Sequence, residues 1–179
     1  LLENGIEPVM QISCRDRNKI ALQSDILGAN ALGIQNILCI TGDSVKAGDQ
    51  QDTKAVHEFE SVRLLQQIQA FNKGIDPTLG ELSDKKTFIF SGAAADPNCR
   101  NQRSLKNRMR KKKEAGAQFI QTQMVMEKEK LINFCETISN PLEIPVIAGV
   151  FLLKSYKNAL FINQYVPGAN IPEKILNRL

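Results

Sequence analysis

The feature that most constrains this chain is a short apolar run followed by a helical pattern, repeated along most of its length. Residues 8–13 (PVMQIS) form such a run, and residues 18–32 follow with Ile20, Ala21, Ile26, Leu27 and Ala31 at helical spacing, stopped by Gly33. Residues 36–40 (NILCI) predict a second strand, 41–57 a polar loop, and 61–71 a helix. After a connection at 74–80 bearing Gly and Pro, residues 87–90 (TFIF) predict the third strand and 100–115 a strongly basic helix. Residues 119–123 (FIQTQ) predict the fourth strand, with a helix at 127–138. The fifth is 145–150 (PVIAGV), with its helix at 155–165 and one more starting at 172, where Pro172 suits a first turn.

Five such units, near-continuously apolar in the strands, point to an α/β fold with a parallel sheet covered on both faces. One internal echo supports a repeated unit. Gly33 and Gly116 each stop a helix, two residues pass, and the strand that follows ends in Thr plus a polar residue, Thr41-Gly42 and Thr122-Gln123. Repetition of one βα unit favours a (β/α)₈ barrel over a doubly wound sheet, yet a whole barrel takes about 250 residues. The expectation is therefore a partial TIM barrel of about five to six units, forming a single incomplete domain over residues 1–179. The chain opens on Leu1 in mid-pattern, as a piece of something longer would.

Composition excludes several function classes. Apolar residues make up 42% of the chain, enough for a core. No apolar run approaches the roughly 20 residues needed to span a bilayer, so no membrane partner is expected. The net charge of +4 is too small a bias to indicate nucleic acid. Eight cations do crowd positions 100–113: Arg100, Arg103, Lys106, Arg108, Arg110, Lys111, Lys112 and Lys113. No aromatic side chain interleaves them to stack on bases, so nucleic acid is not expected as a partner. A cofactor phosphate would use one or two of them. The structural reading is a solvated helix face with cations toward the helix C-terminus, where the dipole favours them.

Cys14, Cys39, Cys99 and Cys135 lie far apart, and His57 is the one histidine, so no metal site is expected. Cys14 and Cys39 sit in apolar runs, where a thiol acts as a small hydrophobe. A reducing, cytoplasmic setting fits that usage. Neither a G-x-G-x-x-G fingerprint nor a P-loop is present.

In parallel α/β folds the chemistry gathers at the carboxyl ends of the strands. Those ends are Ser13-Cys14-Arg15-Asp16, Thr41-Gly42-Asp43, Ser91 through Asp96, Thr122-Gln123 and Gly149-Val150. Asp43 is a carboxylate just after a buried strand, beside a Gly that lets backbone approach a ligand closely. Gln123 offers a donor and an acceptor suited to a heterocycle edge. The small residues from Gly92 to Ala95 leave room for a flat ligand. Against each stands a structural alternative: a loop cap, a polar rim, or close packing on a helix.

Taken together, residues 11–18 (QISCRDRN), 29–43 (ANALGIQNILCITGD), 115–123 (AGAQFIQTQ) and 166–173 (VPGANIPE) resemble the methylenetetrahydrofolate reductase family. The likeness is greatest to its forms fused or adjacent to methyltransferases. It runs over nearly the whole chain in order, and C-R-D-R-N combined with T-G-D is specific. The resemblance implies a flavin-bearing (β/α)₈ barrel, with FAD expected and FMN the alternative. It implies hydride transfer from NAD(P)H to flavin and on to 5,10-methylenetetrahydrofolate, giving 5-methyltetrahydrofolate within one-carbon metabolism and methionine biosynthesis.

Carried onto this chain, Asp43 matches the aspartate beside flavin and folate, whose charge would stabilise the cationic iminium form of the methylene donor. Gln123 matches the pterin-binding glutamine, and Asn158 falls near a second substrate-contacting position. Thr41 and Gly42 match flavin contacts, and Gln11 falls where many members carry His. Arg108, Lys111 and Lys112 fall on the helix facing the cofactor's phosphates and ribose, Arg108 departing from the expected residue. Asp96 sits where the family often has Asn or His, and His57 and Gly92 complete the expected cofactor contacts. The family's general acid is a glutamate on the first barrel strand, and no residue here matches it; Glu3 and Glu7 do not substitute on spacing. The alternative is a truncated, non-catalytic barrel acting as a binding or assembly subunit. In either case open strand edges need covering, so a homo-oligomer or a larger assembly is expected.

Overall fold

The computed structural model describes residues 1–82, 86–166 and 168–179; Pro167 of the 166–173 motif lies outside the described residues. The fold is α/β, and its main sheet is five-stranded. The strands of that sheet are β1 (Val9–Ser13), β2 (Asn36–Ile40), β5 (Phe90–Ala95), β6 (Phe119–Met124) and β7 (Val146–Gly149), in that spatial order. Helices α1 (Lys19–Ala31), α2 (Ser61–Asn72), α3 (Gln102–Glu114), α4 (Lys128–Phe134) and α5 (Tyr156–Tyr165) follow the main strands in turn, and a short α6 (Glu173–Leu176) comes last. This is the βα repeat of a partial (β/α)₈ barrel. Among the described residues no helix is long and apolar enough to cross a membrane. Contacts divide the chain into two compact units, residues 1–93 with 111–118, and residues 94–110 with 119–179.

In the first unit, β1 and β2 pair in parallel from Val9↔Asn36 to Ser13↔Ile40, and β2 pairs in parallel with the start of β5. Asn18 stays outside α1 and caps it, its Oδ1 accepting the Ala21 amide at 2.9 Å, while Glu58 accepts the Lys19 amide at 2.8 Å. A carboxylate there also meets the positive end of the helix dipole. Gly33, at φ +81°, ends the helix, and the Ile34 amide reaches back to the Ala29 carbonyl. Leu22 and Ile26 of α1 and Leu64, Leu65, Ile68 and Phe71 of α2 are buried, with Ile12, Ile37 and Leu38 from the strands. Each such side chain contributes roughly 1.5–3 kcal/mol by leaving water.

The third sheet strand differs from expectation. Residues 87–89 are not in the ladder, which begins only at Phe90 and runs to Ala95. Asparagines at the ends of two helices capture the TFI segment instead. Asn72 accepts the Ile89 amide and the Thr87 hydroxyl and donates to the Ile89 carbonyl, and Asn30 accepts the Phe88 amide. Beyond Phe90 the strand is SGAAA, of low β-propensity, and Ser91, Ala93 and Ala95 in it are buried. The connection at 74–80 also carries structure: a two-stranded hairpin of β3 (Ile75–Asp76) and β4 (Gly80–Glu81). Buried Asp76 holds its turn by accepting the Thr78 and Leu79 amides.

In the second unit, β6 and β7 pair in parallel, Ile120↔Val146 and Gln121↔Ile147, and the register then slips so that Met124 meets Gly149. Two residues of β6, Thr122 and Gln123, therefore oppose one of β7, a β-bulge. The α4 helix is shorter than expected and continues as a π-helical turn, Cys135–Ser139. Ala159, Ile162 and Ile171 form a small core of their own beneath Met124, Met126 and Leu153. Pro172 stands one position outside α6, as its N-cap rather than in its first turn.

Candidate functional site

The strand ends carry two sets of polar residues, one in each unit. In the first unit, the four polar members of the C-R-D-R-N segment each have a defined local partner. Arg15 grips Asp16 in a two-pronged pair, Nε–Oδ1 2.7 Å and Nη2–Oδ2 2.9 Å. That guanidinium holds the Asp16 carboxyl below its ordinary range. Arg17 pairs with Asp25 at 2.6 Å, and Asn18 is the α1 cap. The Arg15 carbonyl in turn accepts the Val56 amide at 2.7 Å and the His57 amide at 3.4 Å, so the long loop after β2 is fastened to the end of β1. His57 is exposed and holds φ +44°, an uncommon conformation for a residue with a side chain.

The T-G-D triplet divides its labour by residue. Thr41 Oγ1 accepts the Ser61 amide at 3.2 Å, which makes it a cap for α2 from a distant strand, since Glu60 in the N-cap position makes no side-chain cap. Gly42, at φ +92°, has no room for a Cβ: one placed there lies 2.7 Å from Arg15 Cβ and also strikes Ser13 Oγ. That glycine therefore serves the close approach of the β1 and β2 ends, a steric reason for it that the sequence reading did not include. Asp43 is exposed and makes no hydrogen bond or ion pair among the described residues, though its charge reaches Arg15. Gln11 is exposed on β1. Gly92 is buried in β5, in register with Leu38. Lys111 and Lys112 lie in the last turn of α3, where the helix dipole favours cations, and the charge of Lys112 is felt at Cys39.

The two buried thiols are small hydrophobes, as expected. Burial pushes Cys14 up to about 11, with Glu60 adding to the rise, and burial raises Cys39 further. The neutral thiol is the form the fold favours, so this contribution to stability holds below 9.0 and is lost as pH rises toward about 11. A thiol reagent at pH 7 is expected to modify the part-exposed Cys99 and Cys135 while sparing Cys14 and Cys39. Mass spectrometry of the labelled peptides reads this directly, and Cys14 labelled as fast as Cys99 would contradict it.

In the second unit the bulge of β6 governs. Thr122 Oγ1 accepts the Gly149 amide at 2.8 Å, and Gln123 folds back so that its Oε1 accepts the Met124 amide at 3.0 Å. Gly149 has no space for a side chain, a Cβ there lying 2.6 Å from the Thr122 carbonyl oxygen. Asp96 accepts the Asn98 amide at 2.9 Å, closing an Asx turn after β5. Asn98 Nδ2 donates to the Met124 carbonyl at 3.0 Å and to the Gly168 carbonyl at 3.5 Å. Arg108 Nη2 lies 3.3 Å from Cys99 Sγ. Asn158 is part of the α5 cap: its amide donates to Ser155 Oγ and its Oδ1 accepts the Lys154 amide, both at 3.3 Å.

The second unit thus joins Asp96 and Gln123 through Asn98 and Gly168, two residues that sequence reasoning did not single out. The Asp-Pro-Asn composition of a turn was the available signal for Asn98.

A model of the methylenetetrahydrofolate reductase family matches residues 2–179. The chain is similar to a protein of Caenorhabditis elegans named probable methylenetetrahydrofolate reductase (NADPH), 22% identical over 98% of this chain and 25% of that protein. It is also similar to methylenetetrahydrofolate reductase 2 of Saccharomyces cerevisiae, 25% identical over 98% of this chain and 28% of that protein. The chain spans about a quarter of the length of these curated relatives.

Proposed function

The chain belongs to the methylenetetrahydrofolate reductase family, and from that membership we propose that it forms part of a flavin-dependent reductase acting on 5,10-methylenetetrahydrofolate with NAD(P)H as hydride donor. NADPH is the donor in the name of the worm relative, which favours it here. The observation that carries the reading is Asp43: an exposed carboxylate at the end of a buried parallel strand, committed to no partner that the fold needs. A solvated acid with no structural duty is available to a ligand that develops positive charge.

The residues present fit a flavin. Gln11, Thr41 and Asp43 are exposed polar groups on the paired β1 and β2 or just beyond them. In the first unit Gly42, His57, Gly92, Lys111 and Lys112 join them as proposed cofactor-holding residues, for FAD or FMN, and in the second unit Asp96 and Arg108 are proposed in that role. When bound, flavin supplies the two-electron relay between nicotinamide and folate. Asp43 would hold negative charge against the cationic form of the methylene donor. Gln123 would read the pterin edge with its carboxamide held against the Met124 amide, and Asn158 would join it only by leaving its capping bonds. The four cysteines are free thiols, which suits a reducing, cytoplasmic setting.

The test is optical. The purified full chain, supplied with FAD and then gel-filtered, is expected to retain the visible flavin bands and to lose them on anaerobic addition of NADPH. A chain that elutes colourless overturns this reading and favours the assembly subunit. That second reading has its own support, since β1 and β7 are the outer strands of the sheet, and Val9 and Ile147 on them are 40% and 51% exposed.

A further inference from the structure

The β6 bulge puts Gln123 at a break in the ladder, where regular strand geometry no longer dictates the direction of its side chain. Something else must hold it. On one side is Met124, whose amide is taken by Gln123 Oε1. On the other is Gly168, at φ +77°, so close that a Cβ there would lie 3.3 Å from Gln123 Nε2. These two walls come from distant parts of the chain, and Asn98 Nδ2 donates to the carbonyls of both. Asn98 is itself held by the Asx turn from Asp96, and the Cys99 amide closes the same turn on the Asp96 carbonyl at 3.1 Å.

One further observation sets Asn98 apart from an ordinary turn residue. Its Oδ1 is buried and has no hydrogen-bond partner among the described residues. An amide oxygen left so is a net cost to the fold. Asn therefore brings a liability along with its two donated bonds, the pattern expected where a side chain is kept for placement rather than for stability.

We propose that Asn98 is a positioning residue for Gln123: by tying Met124 to Gly168 it holds the bulge in the one arrangement that presents the Gln123 carboxamide to a pterin. The inference rests on the reading of Gln123 as a folate-binding residue and adds the group that sets its orientation. Asn98 itself touches the substrate nowhere in this scheme. Its effect on folate must pass through Gln123.

That dependence is testable by a double-mutant cycle, which separates action through a neighbour from independent action. The probe is 5-methyltetrahydrofolate, titrated calorimetrically into the flavin-supplied full chain and its Asn98→Ala, Gln123→Ala and doubly substituted variants. Asn98→Ala is expected to weaken binding about tenfold, or about 1.4 kcal/mol, and Gln123→Ala at least as much. The double variant is expected to bind no more weakly than Gln123→Ala alone, to within about twofold. Gly168→Ala, at an exposed turn, provides an independent arm should Asn98→Ala fold poorly. It too is expected to weaken binding in the parent and to have no effect in the Gln123→Ala background.

Three results overturn the proposal. Losses from Asn98→Ala and Gly168→Ala that persist undiminished when Gln123 is already Ala make them independent structural residues. Unchanged affinity in both variants removes the positioning role. Unchanged affinity in Gln123→Ala while the parent binds tightly removes Gln123 from the folate site, and that outcome alone refutes the underlying reading as well.

Discussion

Asp43→Asn, isosteric and at one of several proposed cofactor contacts, is expected to leave enough flavin bound to assay and to slow reduction of the folate by about 100-fold or more, while oxidation of NAD(P)H changes far less. The size follows from what removal of one preorganised electrostatic group typically costs, about 10²–10³ in rate. The selectivity follows from where charge develops. The methylene donor passes through a cationic form that a carboxylate stabilises and a neutral amide does not. The substitution is also structurally mild. Asp43 is exposed and holds no hydrogen bond or ion pair among the described residues, so thermal stability should hardly move. Separate stopped-flow measurement of the two half-reactions distinguishes the outcomes. Equal slowing of both would mean that Asp43 supports the cofactor and not the folate.

One position earlier, Gly42→Ala should act chiefly on the fold, with a large loss of stability. A side chain at φ +92° costs roughly 1–2 kcal/mol in backbone strain. The clash with Arg15 Cβ, whose atom is fixed to the backbone and cannot swing aside, adds a cost of the overpacking kind, about 1–3 kcal/mol. A total of about 3 kcal/mol lowers the melting midpoint of a chain this size by about 6–12 °C. Calorimetry on the purified variant reads it. A shift under about 2 °C would show that the ends of β1 and β2 separate easily and that the contact at Gly42 is incidental.

These neighbours illustrate how far one dimension of information reaches. The T-G-D triplet stood out because polar residues directly follow a buried apolar strand, and the position of each is where the parallel pairing of β1 and β2 puts it. What each residue does was not legible. Thr41 caps α2, whose first residue is Ser61, and Gly42 is shaped by Ser13 and Arg15, all partners remote in sequence. Helix ends were legible for the contrary reason. Asn18, Gly33 and Ser155 act on amides and carbonyls within a few residues, so local chemistry settles them.

Errors fell where local pattern and tertiary context disagree. TFIF has the composition of a strand, and SGAAA does not, yet the ladder takes the second. Asn72 and Asn30, at helix ends, take up backbone groups of Phe88 and Ile89, while Ser91, Ala93 and Ala95 are buried in the ladder. The β6 bulge likewise leaves no local mark, because it is a mismatch of count between two strands.

The order of the main strands and helices, the points where α1 and α5 stop, and the family to which the chain belongs were all determined by the sequence alone, since they depend on hydrophobic period, cap chemistry and motif order. The placement of Gln123 in a bulge, the tie that Asn98 makes to Met124 and Gly168, and the release of Asp43 from any structural duty were decided only by the tertiary structure. Each depends on atoms that folding brings together from separate segments, and no local pattern encodes such a meeting.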